Sequence, residues 1–268
     1  LAEKFDFFEE TKEHFGVLLV SLYFSSKDTE KVNTSLEELK ALGITSPKPC
    51  ITADPAFRLE PQSDNWIKYV MNRRKIAPGI SSDKRYFAVS VRGGATGIDD
   101  DELEKLAFAS KLISEGRKLT PLIVVLQPLL DDAVSKKLSE LTGAPMISGL
   151  CASELTGLMT HMEFAVSMRL HLLIYAADAG IPIMALSHDP KLDALCETLK
   201  VENCLVKMGE GENALTTDRL LKVMSRLTEE NDEFREVIKA RVNELRQLAV
   251  SDAEYAMSLL RERKQTTL

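Results

Sequence analysis

Short apolar runs alternate with longer amphipathic stretches along most of this chain. Tyr86-Phe87-Ala88-Val89-Ser90-Val91, Leu122-Ile123-Val124-Val125-Leu126, Phe164-Ala165-Val166-Ser167 and Pro182-Ile183-Met184-Ala185-Leu186 are runs of strand length. Their near-continuous apolar character predicts strands covered on both faces. Between them apolar residues recur at three and four positions. This predicts helices over about 99–118, 130–142 and 153–161, and another that follows Met168-Arg169-Leu170-His171 and is closed after Ala179 by Gly180. The acidic cluster Asp99-Asp100-Asp101-Glu102 suits the positive end of the first of these. Cys204-Leu205-Val206 reads as a last short strand, and from Asp218 to about Arg263 the pattern is amphipathic helix almost throughout.

The first third is less regular. Residues 1–15 read as a charged helix with interspersed Phe, Gly16–Phe24 as a strand and Thr34–Leu42 as a helix stopped by Gly43. Cys50-Ile51-Thr52 is a short strand candidate, and Pro55 forces a turn through Asp54–Phe57. Residues 58–84 read as a connector with a short helix around Trp66–Val70. No internal repeat or low-complexity segment is present.

Strands alternating with helices predict an α/β protein with a parallel, Rossmann-like sheet covered on both faces. The expected division is residues 1–45 as the remnant of an N-terminal domain and an inter-domain segment. Residues 46–227 follow as a Rossmann-like ligand-binding domain, and 228–268 as C-terminal helices packing back across the domains or forming a dimer contact.

Composition narrows the function. A hydrophobic content of 44% supports a real core, and a net charge of -7 argues against a nucleic-acid partner. No apolar run is long enough to cross a bilayer. The start, Leu-Ala-Glu-Lys, has neither initiator Met nor signal-peptide pattern and reads as an internal starting point. Cys50, Cys151, Cys196 and Cys204 lack metal-ligand spacing and read as reduced thiols of a cytoplasmic protein. His14, His161 and His188 form no metal pattern with Asp, Glu or Cys, so neither a metal site nor a cofactor is expected.

Candidate chemistry gathers at the predicted strand ends: Arg92 before Gly93-Gly94, Gln127, Arg169 with His171, and Lys191 after Ser187-His188-Asp189-Pro190. If those strands are neighbours, the groups converge on the carboxyl rim of the sheet, where open α/β folds bind ligands. Arg169 and His171 fall where a strand hands over to a helix, and helix N-termini favour anions. Three cations and a histidine on one rim point to a small anionic ligand. Arg92 could equally be a plain strand-end charge, His171 a satisfied core group and Lys191 a surface residue in a helical turn. Gly93-Gly94-Ala95-Thr96-Gly97 has neither the Lys-Ser/Thr of a phosphate-binding loop nor full dinucleotide spacing.

Ser167-Met168-Arg169-Leu170-His171, then Ala176-Ala177 with Ala179-Gly180 and Pro182, then Ser187-His188-Asp189-Pro190-Lys191, resembles the C-terminal signature of the polysaccharide pyruvyl transferases. The similarity is greatest to the bacterial cell-wall type. Thr52–Phe57 is similar to the strand and turn that open that family's C-terminal domain, and Ser35–Ile44 to the preceding helix; the match spans about residues 28–205. The resemblance implies a two-domain, glycosyltransferase-B-like fold with the active site in the cleft. It implies transfer of the pyruvyl group of phosphoenolpyruvate to a sugar, forming a 4,6-ketal. For the cell-wall type the acceptor is an N-acetylmannosamine unit on a lipid-linked saccharide, so membrane association would be peripheral. Arg169 and His171 would meet the pyruvyl donor, with Lys191 nearby and Arg92 as a further contact. Two departures stand out. The family's N-terminal motif of the form G-x-x-N-x-G-D is not in this chain, and Lys27-Asp28 stands nearest to where the family has Arg-Asp. The N-terminal domain is therefore expected to be incomplete here.

The residue types suit that reaction. Phosphoenolpyruvate carries a phosphate and a carboxylate, and arginine offers a bidentate fork to either. Histidine exchanges protons near neutral pH, which makes His171 the expected general acid/base. A nucleotide-sugar glycosyltransferase of the same architecture and a non-catalytic α/β binding module remain the alternatives.

Overall fold

The structure, a computed structural model, describes residues 41, 52–73, 84–209 and 215–266. The elements expected over 1–24, the 34–42 helix apart from Ala41, Cys50, Ile51, Lys27 and the division at 45/46 lie outside the described residues.

The apolar runs form a parallel sheet. Its strands are β1 (Arg85–Ser90), β2 (Leu119–Val124), β3 (Met146–Ile147), β4 (Met162–Ser167), β5 (Ile183–Ser187) and β6 (Leu205–Lys207). They lie in the order β3-β2-β1-β4-β5-β6, all pairs parallel. This is the Rossmann-like order, with its direction of winding reversed between β1 and β4. The stacked rings of Phe87 and Phe164, 4.8 Å apart, join those two central strands in the core.

The helices are α1 (Asp64–Arg73), α2 (Asp100–Arg117), α3 (Pro128–Thr142), α4 (Ala152–Met159), α5 (Leu170–Asp178), α6 (Pro190–Leu199), α7 (Thr217–Glu229) and α8 (Asn231–Thr266). Helices α3 and α7 pack with α2 on one side, whereas α5, α6 and α8 pack together on the other with α4 beside α5. Local chemistry sets the boundaries. Asp99 and Glu102 form a reciprocal capping box that starts α2. Asp189 accepts from the Lys191 amide at 2.9 Å, and Pro190 opens α6. Gly143, at φ 67°, lets the chain leave α3.

Helix α6 begins at Pro190, so Lys191 sits in the helical turn held open as its plain alternative. Two details depart from expectation. β3 was not anticipated, being two residues long without an apolar run of its own. β2 starts earlier than expected and includes Pro121, opposite Phe87 of β1. The amides of Ile123 and Val125 face β3, donating to Pro145 and Ile147 carbonyls. By strand alternation the missing N–H of Pro121 faces the same way, before β3 begins, so no ladder bond is lost.

Candidate active site

Three strands end in buried serines, those of β1 and β4 at matching heights. Ser90 of β1 is in register with Ser167 of β4, and Ser167 with Ala185 of β5, two residues before Ser187. Arg92 and Arg169 therefore stand at equivalent places, two residues beyond their serines, on the adjacent strands that flank the switch point.

Arg169 is the N-cap of α5. Ser167 Oγ accepts from its amide at 2.8 Å and reaches its carbonyl at 3.0 Å, which fixes the backbone of the turn. The guanidinium pairs with both carboxylate oxygens of Asp131, Nε donating at 3.0 Å and one terminal nitrogen closing the fork. Asp131 is fully buried in the first turn of α3 and also accepts from the amides of Gly93 at 3.1 Å and Gln127 at 3.2 Å. One carboxylate thus ties together the segments that follow β1, β2 and β4.

Arg92 reaches the other way. Its NH1 lies 3.0 Å from His188 Nε2, beyond the end of β5, and its amide donates to Met168 Sδ at 3.4 Å. Arginine has no acceptor, so His188 Nε2 must accept and the ring proton belongs on Nδ1. Burial, then the Arg92 charge, push the His188 imidazole below its ordinary value and favour this neutral form; Arg169 adds to the effect, while Asp189 and the Leu186 backbone oppose it. Three buried atoms here make no hydrogen bond: Ser90 Oγ, Arg92 Nε and His188 Nδ1. The turn that carries Arg92 is tight, with Gly97 N donating to Gly94 O at 2.9 Å and Ile98 N to Arg92 O at 3.0 Å. A side chain at Gly97 would strike the Arg92 carbonyl oxygen at 2.4 Å.

His171 is the second residue of α5, half-exposed, with Nε2 4.0 Å from Asp54 Oδ2. Asp54 is itself largely buried; its other oxygen caps the short helical turn Pro55–Arg58 through Ala56 N at 2.9 Å. Lys191 is exposed in the first turn of α6. All four expected cations and histidines lie beyond the carboxyl ends of β1, β4 and β5. Asp131, Asp54 and His188 were not singled out as site residues beforehand. Asp54 and His188 lay in segments quoted for the family resemblance but were given no role there, and Asp131 gave no signal beyond residue type.

Among the described residues no cluster of His, Cys, Asp or Glu is placed to hold a metal ion, and no helix is long and apolar enough to cross a membrane. A cavity of about 380 Å³ lies between the 55–58 turn and α8, bordered by Phe57, Arg58, Glu60 and Arg246. None of its lining residues is on the rim just described.

The sequence model of the polysaccharide pyruvyl transferases matches residues 33–190, more than half of the chain, and takes in Arg92, Arg169 and His171. The chain belongs to the polysaccharide pyruvyl transferase family. Within this transferase family the match stops one residue before Lys191. No curated protein matches the chain in sequence. Among solved structures it is similar to UDP-GlcNAc 2-epimerase from Neisseria meningitidis bound to UDP-GlcNAc, with a TM-score of 0.58 at 14% identity over 84% of this chain and 60% of that one. It is also similar to S. aureus MnaA in its UDP co-structure, TM-score 0.52 at 12% identity, covering 77% of this chain and 52% of that one. A third similarity is to Os79 from O. sativa, in complex with U2F and trichothecene, TM-score 0.52 at 14% identity, covering 84% and 52%. The chain thus spans between 52% and 60% of the length of these structures. At such identities the likeness is one of fold, a Rossmann-like sheet of the glycosyltransferase-B-like kind.

Proposed function

We propose that this chain supplies the pyruvyl-donor site of an enzyme that transfers the pyruvyl group of phosphoenolpyruvate to a sugar, forming a 4,6-ketal. The observation that carries the reading is the pair Arg92 and Arg169, each two residues beyond the paired serines Ser90 and Ser167 at the switch point, within the family-matched segment. A ligand with two anionic groups suits two guanidinium groups on one rim, each held by a protein partner, and Lys191 adds a cation from the first turn of α6.

The reaction follows from those groups. A sugar hydroxyl adds at C2 of the enol phosphate while C3 takes up a proton and becomes a methyl group. Phosphate then leaves, and a second hydroxyl closes the ketal as it loses its proton. His171 moves the protons, with Asp54 Oδ2 4.0 Å from its Nε2. Arg92, Arg169 and Lys191 stabilise the charge on the departing phosphate.

The proposed acceptor is an N-acetylmannosamine unit of a lipid-linked cell-wall saccharide, as in the cell-wall type. The enzyme would then work at the inner face of the membrane as a peripheral protein. Residues 46–227 are proposed as the domain that binds the pyruvyl donor, with 228–268 packing back across a partner domain or a second copy.

Calorimetric titration with phosphoenolpyruvate tests the reading. Saturable binding that Arg169→Ala abolishes supports it, whereas a folded chain that ignores phosphoenolpyruvate contradicts it. The fold likeness to proteins solved with UDP or UDP-GlcNAc favours one second reading, a nucleotide-sugar glycosyltransferase, which tight UDP binding in the same titration would support.

A further inference from the structure

The two rim arginines are held by partners of different kinds. Arg169 leans on a buried carboxylate, so its charge is largely answered within the protein. Arg92 leans on an imidazole, which brings no negative charge. Its guanidinium keeps its full charge for a ligand, and its buried Nε has no hydrogen bond. A neutral acceptor is the kind of partner that can aim an arginine without cancelling it.

We infer that His188 is a positioning residue for the pyruvyl donor: by accepting from Arg92 through a bare Nε2, it holds that guanidinium aimed at an oxyanion over the ends of β1 and β4. The ligand assignment rests on the pyruvyl-donor reading; the geometry rests only on the Arg92–His188 contact.

This role requires an unprotonated Nε2. A proton there would turn the acceptor into a second donor and set imidazolium against guanidinium. The groups acting on the ring come from three loops: Arg92 after β1, Arg169 after β4, and Asp189 beside it at the start of α6. Burial first, then the two arginines, favour the neutral ring against Asp189 and the Leu186 backbone, so the contact survives through neutral pH and fails on the acid side of histidine's ordinary value. A purely structural histidine would not link the affinity for the pyruvyl donor to pH in this way.

The test compares three proteins. Long-range ¹⁵N–¹H spectra of the wild type should show the His188 proton on Nδ1, with Nε2 titrating below the value of an exposed histidine. In His188→Leu no acceptor remains, and phosphoenolpyruvate affinity at neutral pH should fall roughly tenfold or more, the scale of one charge-assisted hydrogen bond. In His188→Gln the amide oxygen replaces Nε2 as acceptor and does not titrate. This variant should bind like the wild type at neutral pH but lose the part of the acid-side decline that phosphoenolpyruvate's own ionisation does not explain. Circular dichroism checks that both variants fold. A proton found on Nε2, wild-type affinity in the Leu variant, or an unchanged acid decline in the Gln variant overturns the inference. Should phosphoenolpyruvate fail to bind the wild type at any pH, the pyruvyl-donor reading falls. Inorganic phosphate is then titrated into the same three proteins: the pattern described sustains the Arg92–His188 pair as an oxyanion site, and its absence refutes it.

Discussion

Asp131 holds Arg169 by both carboxylate oxygens, although the two residues come from segments that follow β2 and β4, with β1 between them. The carboxylate is fully buried and the arginine side chain is 13% exposed, so neither group has water to fall back on. Arg169→Ala therefore does two things at once. It removes a cation from the rim, and it strands a buried carboxylate.

The first prediction concerns stability. Breaking a buried ion pair from one side costs about 3–5 kcal/mol. Urea denaturation of Arg169→Ala should show a loss of that order. The double variant Arg169→Ala with Asp131→Ala should recover part of it, because no charge is left unpaired. A double variant less stable than the sum of the two single losses would contradict this account.

The second concerns the division of labour. His171→Ala should lower turnover by about 100-fold or more, the usual contribution of a positioned general acid or base. It should leave phosphoenolpyruvate affinity within a few fold, whereas Arg169→Ala should weaken the affinity itself. Equal losses of affinity in both variants would remove the distinction drawn between them.

A third prediction concerns the Arg92 loop. A methyl group at Gly93 would lie 2.0 Å from the Leu130 carbonyl oxygen, in the backbone of α3. Backbone must move, so Gly93→Ala should cost about 1–3 kcal/mol, as overpacking does. It should also disturb the Gly93 amide bond to Asp131 and weaken binding of the pyruvyl donor. Gly116, inside α2, meets nothing within 4 Å. There the same substitution should stabilise the chain by about 0.5–1 kcal/mol. Thermal denaturation of the two variants should give shifts of opposite sign.

A fourth prediction is a pH effect far from the rim. Asp178 closes α5 and is buried against α8, where Arg246 Nε donates to it at 2.8 Å. Burial outweighs Arg246 and holds this carboxyl above its ordinary value of 3.8. The folded chain thus binds that proton more tightly than the unfolded chain. The resulting stability is fully present below the ordinary carboxyl value and is lost as pH rises through the folded value. Asp178→Asn cannot titrate. Measured from about pH 3 to about pH 7, the wild type should lose stability relative to this variant. A constant difference would show that Asp178 does not carry a raised value.

The sheet was legible because its central strands are continuous apolar runs, and the helix between β1 and β2 because Asp99 and Glu102 mark its start. β3 was not, because two residues at a sheet edge leave no periodicity. The start of α6 was legible as one of two readings, since Asp189 and Pro190 are helix-opening residues, but the string also read as a charged rim. At the rim, Arg92, Arg169, His171 and Lys191 could be listed because they stand at the ends of legible strands. Asp131 could not. It is one acid among several on an amphipathic helix, and its burial depends on an arginine 38 residues away. His188 stood in a family-like string, but its role was not legible because its partner is 96 residues away.

The two arginines also shape how the sheet can move. Arg92 leaves β1 and is fastened beyond β5, passing over the end of β4. Arg169 leaves β4 and is fastened to the helix after β2, passing the end of β1. The two side chains run in opposite directions across the same gap, like crossed struts in a frame. Such a frame resists sliding of β1 against β4. Whatever binds over this rim therefore meets an edge whose two arginines are set by the sheet itself, like fittings bolted to a frame.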